Sequence, residues 1–159
     1  MRVVIIGGGA AGASCATRLR RLNEDAEIII LERTNEVSIA NCGLPYYISD
    51  VIPNRDSILV STPQKFKSWF NIDVRLETEV IEINKEEKFV ITSSNEKLSY
   101  DYLVLANGAS PIVPDFEGLN KDKTFVVRTL SDADKIKKHL KIIPLKKLQS
   151  LVAVLSELK

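Results

Sequence analysis

The chain opens on a short apolar run, residues 3–6, that breaks into Gly7-Gly8-Gly9-Ala10-Ala11-Gly12. Few openings restrict the possible folds as strongly. A fully apolar run of this length, stopped by glycines, reads as a buried parallel strand entering a tight turn. Residues 10–22 then read as helix, Asn23-Glu24-Asp25 as a turn, and residues 27–31 as a second buried strand closed by Glu32. Strand, helix and strand with glycines at the first turn predict an α/β chain built on a Rossmann-like βαβ unit. The glycines of the motif serve different ends, Gly7 the tight turn, Gly9 close backbone approach to a pyrophosphate, and Gly12 the packing of helix on strand. Ala10 and Ala11 open the helix, whose unpaired N–H groups and positive dipole end hold an anion without any basic side chain. Glu32, twenty residues past Gly12, stands where an acid accepts hydrogen bonds from ribose hydroxyls and disfavours a 2′-phosphate. The motif alone leaves NAD and FAD both open.

The remainder fits one globular domain with room for an appended piece: 159 residues, 45% hydrophobic and 27% charged. Twenty-two basic against twenty-one acidic residues give a net charge of +1, so no global field draws in nucleic acid or an anionic membrane. The first apolar run is too short for a signal peptide or a membrane span, which points to the cytoplasm. Thr62-Pro63 caps and starts a helix to about Phe70. Segments 73–75, 79–83, 89–92 and 97–100, separated by charged turns, read as a small β-meander, and residues 102–106 as another buried strand stopped by Asn107-Gly108. Pro111 and Pro114 mark a connector before a lysine-rich helix that begins at Ser131-Asp132 and runs toward Lys141. Trp69 and Phe70 are expected in the core. His139, among Lys135, Lys137, Lys138 and Lys141, reads as part of a solvated face. No Cys/His cluster has zinc spacing.

Cys42 lies in Ser38-Ile39-Ala40-Asn41-Cys42-Gly43-Leu44-Pro45, ten residues past Glu32. A cysteine is a nucleophile only as thiolate, so its surroundings must favour that form. If Cys42 begins a short helix through Tyr47, the helix dipole does so, with Ser38 and Asn41 as nearby polar groups and Pro45 tolerated in the first turn. The plain alternative is a small buried cysteine that only packs. Cys15, mid-helix and core-facing, is assigned that role. With no secretory signal and no CxxC pair, both are expected to be free thiols.

Taken together, the cradle and the run from Val37 to Ile48 resemble the pyridine nucleotide-disulfide oxidoreductases, in their single-cysteine branch of coenzyme A disulfide reductases with NADH oxidase and persulfide reductase relatives. The resemblance runs from residue 1 to about Lys141 and is most specific around Cys42. Thr78-Glu79-Val80 is similar to a family strand on the adenine side of FAD, and Leu105-Ala106-Asn107-Gly108-Ala109-Ser110-Pro111 to its second glycine motif. The resemblance implies FAD in the first cradle, touching Gly7, Gly9, Ala10, Ala11, Gly12, Glu32, Arg33, Val80, Ala106 and Gly108. It implies NAD(P)H in a second Rossmann domain, Cys42 as redox nucleophile, and Ser38, Asn41 and Arg18 on the substrate, coenzyme A disulfide or a related thiol or persulfide. Oxygen-reducing relatives usually carry histidine where this chain has Ala10, which favours a disulfide or persulfide substrate. Asn107 stands where threonine or proline is usual. A non-catalytic nucleotide-binding remnant and an NADH oxidase relative remain the alternatives.

The same resemblance divides the chain into residues 1–113, the N-terminal part of an FAD-binding domain, 114–141, a connector and helix leading toward an NAD domain, and 142–159, an atypical tail. The family's second Rossmann domain and its homodimerisation domain are expected to be missing from these residues. Residues 142–159 contain no glycine. One hypothesis is a change of reading frame: codons for 147–159 can be chosen so that the neighbouring frame reads Lys-Val-Ala-Ile-Val-Gly-Gly-Gly-Phe-Ile-Gly-Ile-Glu, an apolar strand with a glycine fingerprint. Coding DNA unable to yield that peptide rules it out. The alternative is an amphipathic C-terminal helix carrying Leu148, Leu151, Val152, Val154, Leu155 and Leu158.

Overall fold

The computed structural model describes residues 1–115 and 117–142, so the tail expected to be atypical lies outside the described residues apart from its first position. A four-stranded sheet of β1 (Arg2–Ile6), β2 (Glu27–Leu31), β3 (Asp73–Arg75) and β7 (Tyr102–Leu105) forms the centre, in the order β3-β2-β1-β7 with every pair parallel. A smaller antiparallel sheet contains β4 (Val80–Asn84), β5 (Phe89–Thr92) and β6 (Lys97–Ser99). The helices are α1 (Ala10–Leu22), α2 (Leu44–Ile48), α3 (Pro63–Phe70) and α4 (Leu130–Leu140).

The continuous apolar runs of β1 and β2 have a direct cause, because these central strands are covered on both faces, whereas β7, expected to be buried, is an edge strand with Tyr102 and Leu105 exposed. Val3, Ile5, Ile28 and Ile30 point to one side and pack with Ala13, Ala16, Phe66 and Ile72. Val4, Ile29 and Leu31 alternate to the other side and meet Val90 and Leu98 of the small sheet. A third cluster, Leu44, Tyr47, Ile58, Leu130 and Ala133, joins α2 to α4. Fully burying one such aliphatic or aromatic side chain contributes about 1.5–3 kcal/mol.

Several expectations change. The segment 73–75 belongs to the central sheet, beside β2 through Ile29–Asp73 and Ile30–Val74 pairing, and the meander has three strands. Asn71 in the left-handed conformation ends α3 and turns the chain straight back to the sheet edge. Trp69 is not core but 71% exposed, while Phe66 is buried and Phe70 packs on the same cluster. Phe66 and Phe70, four apart, take the inner face of α3. Trp69 shares the outer stripe with Lys65, whose ammonium stands 5.9 Å from the indole centre. His139 is half-buried against the Phe125 ring at 4.8 Å, not wholly on a solvated face. Cys15 packs against the core as expected, and both cysteines are free. Among the described residues no helix is long and apolar enough to cross a membrane.

Candidate functional site

The glycine turn behaves as its spacing predicts. Gly7 has φ +100°, and a Cβ there would lie 2.3 Å from the Ala106 carbonyl oxygen. A Cβ on Gly12 would lie 1.9 Å from the Gly7 carbonyl oxygen, so α1 can rest this close to β1 only without one. Around Gly9 a Cβ would meet nothing within 4 Å. The space it faces belongs to a cavity of about 660 Å³ lined by Gly7, Gly8 and Gly9, by Glu32 and Arg33 after β2, by Val80 of β4, and by Ala106 and Gly108 after β7. A volume of this size suits a large organic ligand. The cavity opens at the carboxyl ends of parallel strands where the order reverses about β1, the customary crevice of open α/β sheets. Ala10 and Ala11 are exposed at the start of α1 but do not line it.

Glu32 is held more firmly than its position in the sequence suggests. One carboxylate oxygen accepts from the Gly8 N–H at 2.7 Å, and the other accepts from the N–H and hydroxyl of Thr34, each at 2.9 Å. Three of roughly four acceptor positions are thereby occupied, so the acid first shapes the glycine turn and keeps limited capacity for a ligand. Gly8 also receives the other arm of the site, since its carbonyl accepts from the Ser38 N–H at 2.8 Å.

Ser38, at φ +54°, Ile39 and Asn41 line the cavity. Residues 38–40 pair with 58–60 through Ala40 N–H to the Ile58 carbonyl and Val60 N–H to the Ser38 carbonyl, both 2.8 Å. This ribbon delivers Cys42 in a single 3-10 turn, Asn41–Gly43, that runs into α2 with Pro45 in its first turn. Cys42 is exposed, next to a cavity-lining residue, though it is not itself part of the lining. Arg18 is exposed on α1 and also lies outside the lining. Of the expected site residues, then, the structure brings Ser38 and Asn41 to the crevice with Gly7, Gly9, Glu32, Arg33, Val80, Ala106 and Gly108, and leaves Arg18, Ala10, Ala11, the buried Gly12 and the exposed Cys42 outside its lining.

Two contributors escaped the sequence. Arg128 reaches the cavity from just before α4, its Nε donating to the Ala109 carbonyl at 3.0 Å, and it adds a second cation beside Arg33. The support behind α2, the helix that follows Cys42, also comes from α4. Asp134 accepts from the Tyr47 hydroxyl at 2.8 Å and from Arg55 Nε at 3.0 Å, and Arg55 also pairs with the Glu36 carboxylate, which lines the cavity. The hydrogen bond with Glu36, then that with Asp134, holds Arg55 above its ordinary value against its burial. Burial first, then Asp134, pushes the Tyr47 phenol up. Lys137 Nζ donates to the Tyr47 carbonyl at 3.0 Å and pairs with Asp50 at 2.6 Å. The capping box of Thr129 and Asp132 was a local signal that could have placed the start of α4 one residue before Ser131.

A glycine-rich cradle at the end of a parallel sheet with an exposed thiol beside it defines a class, and comparison agrees. Residues 1–154 match the family described as pyridine nucleotide-disulphide oxidoreductase, and the chain belongs to it. Among curated relatives, it is 41% identical over 144 residues to an NADH oxidase of Methanocaldococcus jannaschii and 41% over 145 residues to a coenzyme A disulfide reductase of Staphylococcus aureus, with 88% of this chain covered in each case. The crystal structure of reduced Bacillus anthracis CoADR-RHD superposes with a TM-score of 0.81 at 44% identity, covering 88% of this chain and 26% of that one. The chain spans 32% of the length of either curated relative.

Proposed function

We propose that this chain forms the flavin-binding, thiol-bearing part of an NAD(P)H-driven reductase of coenzyme A disulfide or a related disulfide or persulfide. The observation that carries the proposal is the exposed Cys42 next to Asn41 at the edge of the 660 Å³ crevice. The residues present suit an adenine dinucleotide. Gly9 leaves the cradle open, Glu32 retains capacity for a ribose hydroxyl, Arg33 and Arg128 supply positive charge, and Val80 and Ala106 supply apolar walls. Bound FAD would supply the electron relay between NAD(P)H and sulfur. Cys42 itself, as thiolate, attacks one sulfur of the substrate, forming a mixed disulfide and releasing the other half as a thiol that takes up a proton. Ser38 and Asn41 hold that substrate at the crevice edge, and Arg18, on the outer surface of α1, meets its anionic end.

Purified protein tests this directly. Yellow protein whose flavin is bleached by NADH, with coenzyme A disulfide turnover lost in Cys42→Ser, supports the reductase. Flavin retained without bleaching supports a second reading, favoured by Cys42 lying outside the crevice lining, in which these 159 residues bind nucleotide without turnover. Colourless folded protein that takes up no added FAD overturns both.

A further inference from the structure

Asn107 and Gly108 lie in the loop after β7 between two anchors, the Ala106 N–H on the Ile6 carbonyl at 2.8 Å and Arg128 Nε on the Ala109 carbonyl at 3.0 Å. Both residues are exposed, and among the described residues no hydrogen bond engages the Asn107 side chain or the Gly108 N–H. Gly108 has φ +68° and carries no Cβ to obstruct approach to its nitrogen. The position is not peripheral. The Asn107 Cα would lie 3.1 Å from a Cβ placed on Gly7, and Arg128 Nη2 would lie 2.5 Å from one placed on Gly108, so the pair sits between the first glycine of the cradle and one of the crevice's two arginines.

We propose that Asn107 is a self-modifying site that deamidates in the folded protein. The Gly108 backbone nitrogen attacks Asn107 Cγ, the new N–Cγ bond closes a succinimide, and the Cγ–Nδ2 bond breaks as ammonia leaves with the nitrogen's proton. Water then opens either imide carbonyl, giving aspartate or isoaspartate with no change of oxidation state. Either product places a carboxylate at the cradle beside Arg128, where it draws the guanidinium away and repels an anionic dinucleotide. This consequence, unlike the chemistry, rests on the nucleotide-binding reading above.

The test is ageing of the purified protein in mildly alkaline buffer, followed by peptide mass spectrometry. A gain of about 1 Da, split between two chromatographic forms, is expected at Asn107. It should form about tenfold faster than at the exposed turn residues Asn95 and Asn120, because glycine follows only Asn107. Asn107→Gln should suppress it. Conversion no faster than at Asn95 and Asn120, or seen only after urea unfolding, overturns the site. Asn107→Asp, with an unchanged circular dichroism spectrum, should bind ADP about fivefold more weakly, as for one added partly screened charge, and equal affinity overturns the consequence. Wild-type protein that binds no ADP defeats the nucleotide reading and leaves the deamidation standing.

Discussion

At the scale of single residues the three motif glycines separate into different physical roles, and substitution distinguishes them. Gly12→Ala forces a methyl onto a backbone oxygen 1.9 Å away, so it should lower the stability measured by urea unfolding by about 1–3 kcal/mol or more. Gly9→Ala meets no neighbour and should leave that stability within about 0.5 kcal/mol while weakening ADP or FAD binding in titration, because its methyl enters the crevice. If both variants lost stability equally, the cradle would be tighter than described. The glycine turn was legible in the sequence because it is a local device within a short stretch of chain. Arg128 was not, because nothing nearby in the chain marks an arginine whose only relation to the glycine turn is made through folding.

At the scale of elements, two contacts carry more than propensity. Arg20 is nearly buried in the last turns of α1, and its guanidinium donates to the Phe70 and Asn71 carbonyls at 2.7 and 3.0 Å and to the Glu24 carbonyl. It thus satisfies the free carbonyls at the end of α3 and ties them to α1. Arg20→Ala leaves those oxygens without donors and should cost about 2–4 kcal/mol by urea unfolding. The junction of α2 and α4 should respond to pH. The Tyr47 phenol is raised by burial and by Asp134, so the folded protein holds the proton more tightly than the unfolded chain. Its contribution is complete below the ordinary phenol value of about 10 and is lost as pH climbs through the raised folded value. Tyr47→Phe should therefore lose about 1 kcal/mol near neutral pH and show a flatter alkaline limb than wild type in pH-dependent thermal unfolding. An alkaline limb of unchanged slope would show that other groups govern it. Segment 73–75 illustrates why sequence assigned it to the wrong sheet: three residues carry too little periodicity to name a partner, and the left-handed Asn71 that redirects them is a conformational choice rather than a pattern.

At the scale of the whole molecule, the alternation of two buried faces along β1 and β2 made the doubly covered sheet readable from the apolar runs, whereas the pairing of α4 with the cysteine segment depended on contacts far apart in sequence. A ligand that enters the crevice touches segments from β1, β2, β4 and β7, so it should stabilise the molecule as a unit. ADP at about one hundred times its dissociation constant should add about 2.7 kcal/mol and raise the melting temperature accordingly. An unmoved melting curve at saturating ADP would remove the nucleotide from the crevice. The contact between α2 and α4 has a temporal side as well. Tyr47 and Asp134 are separated by 87 positions, so a nascent chain leaving the ribosome presents α2 long before the helix that packs on it has been made. Until then Leu44 and Tyr47 have no Leu130 and Ala133 to pack against, so this cluster is the last of the three that can close during synthesis.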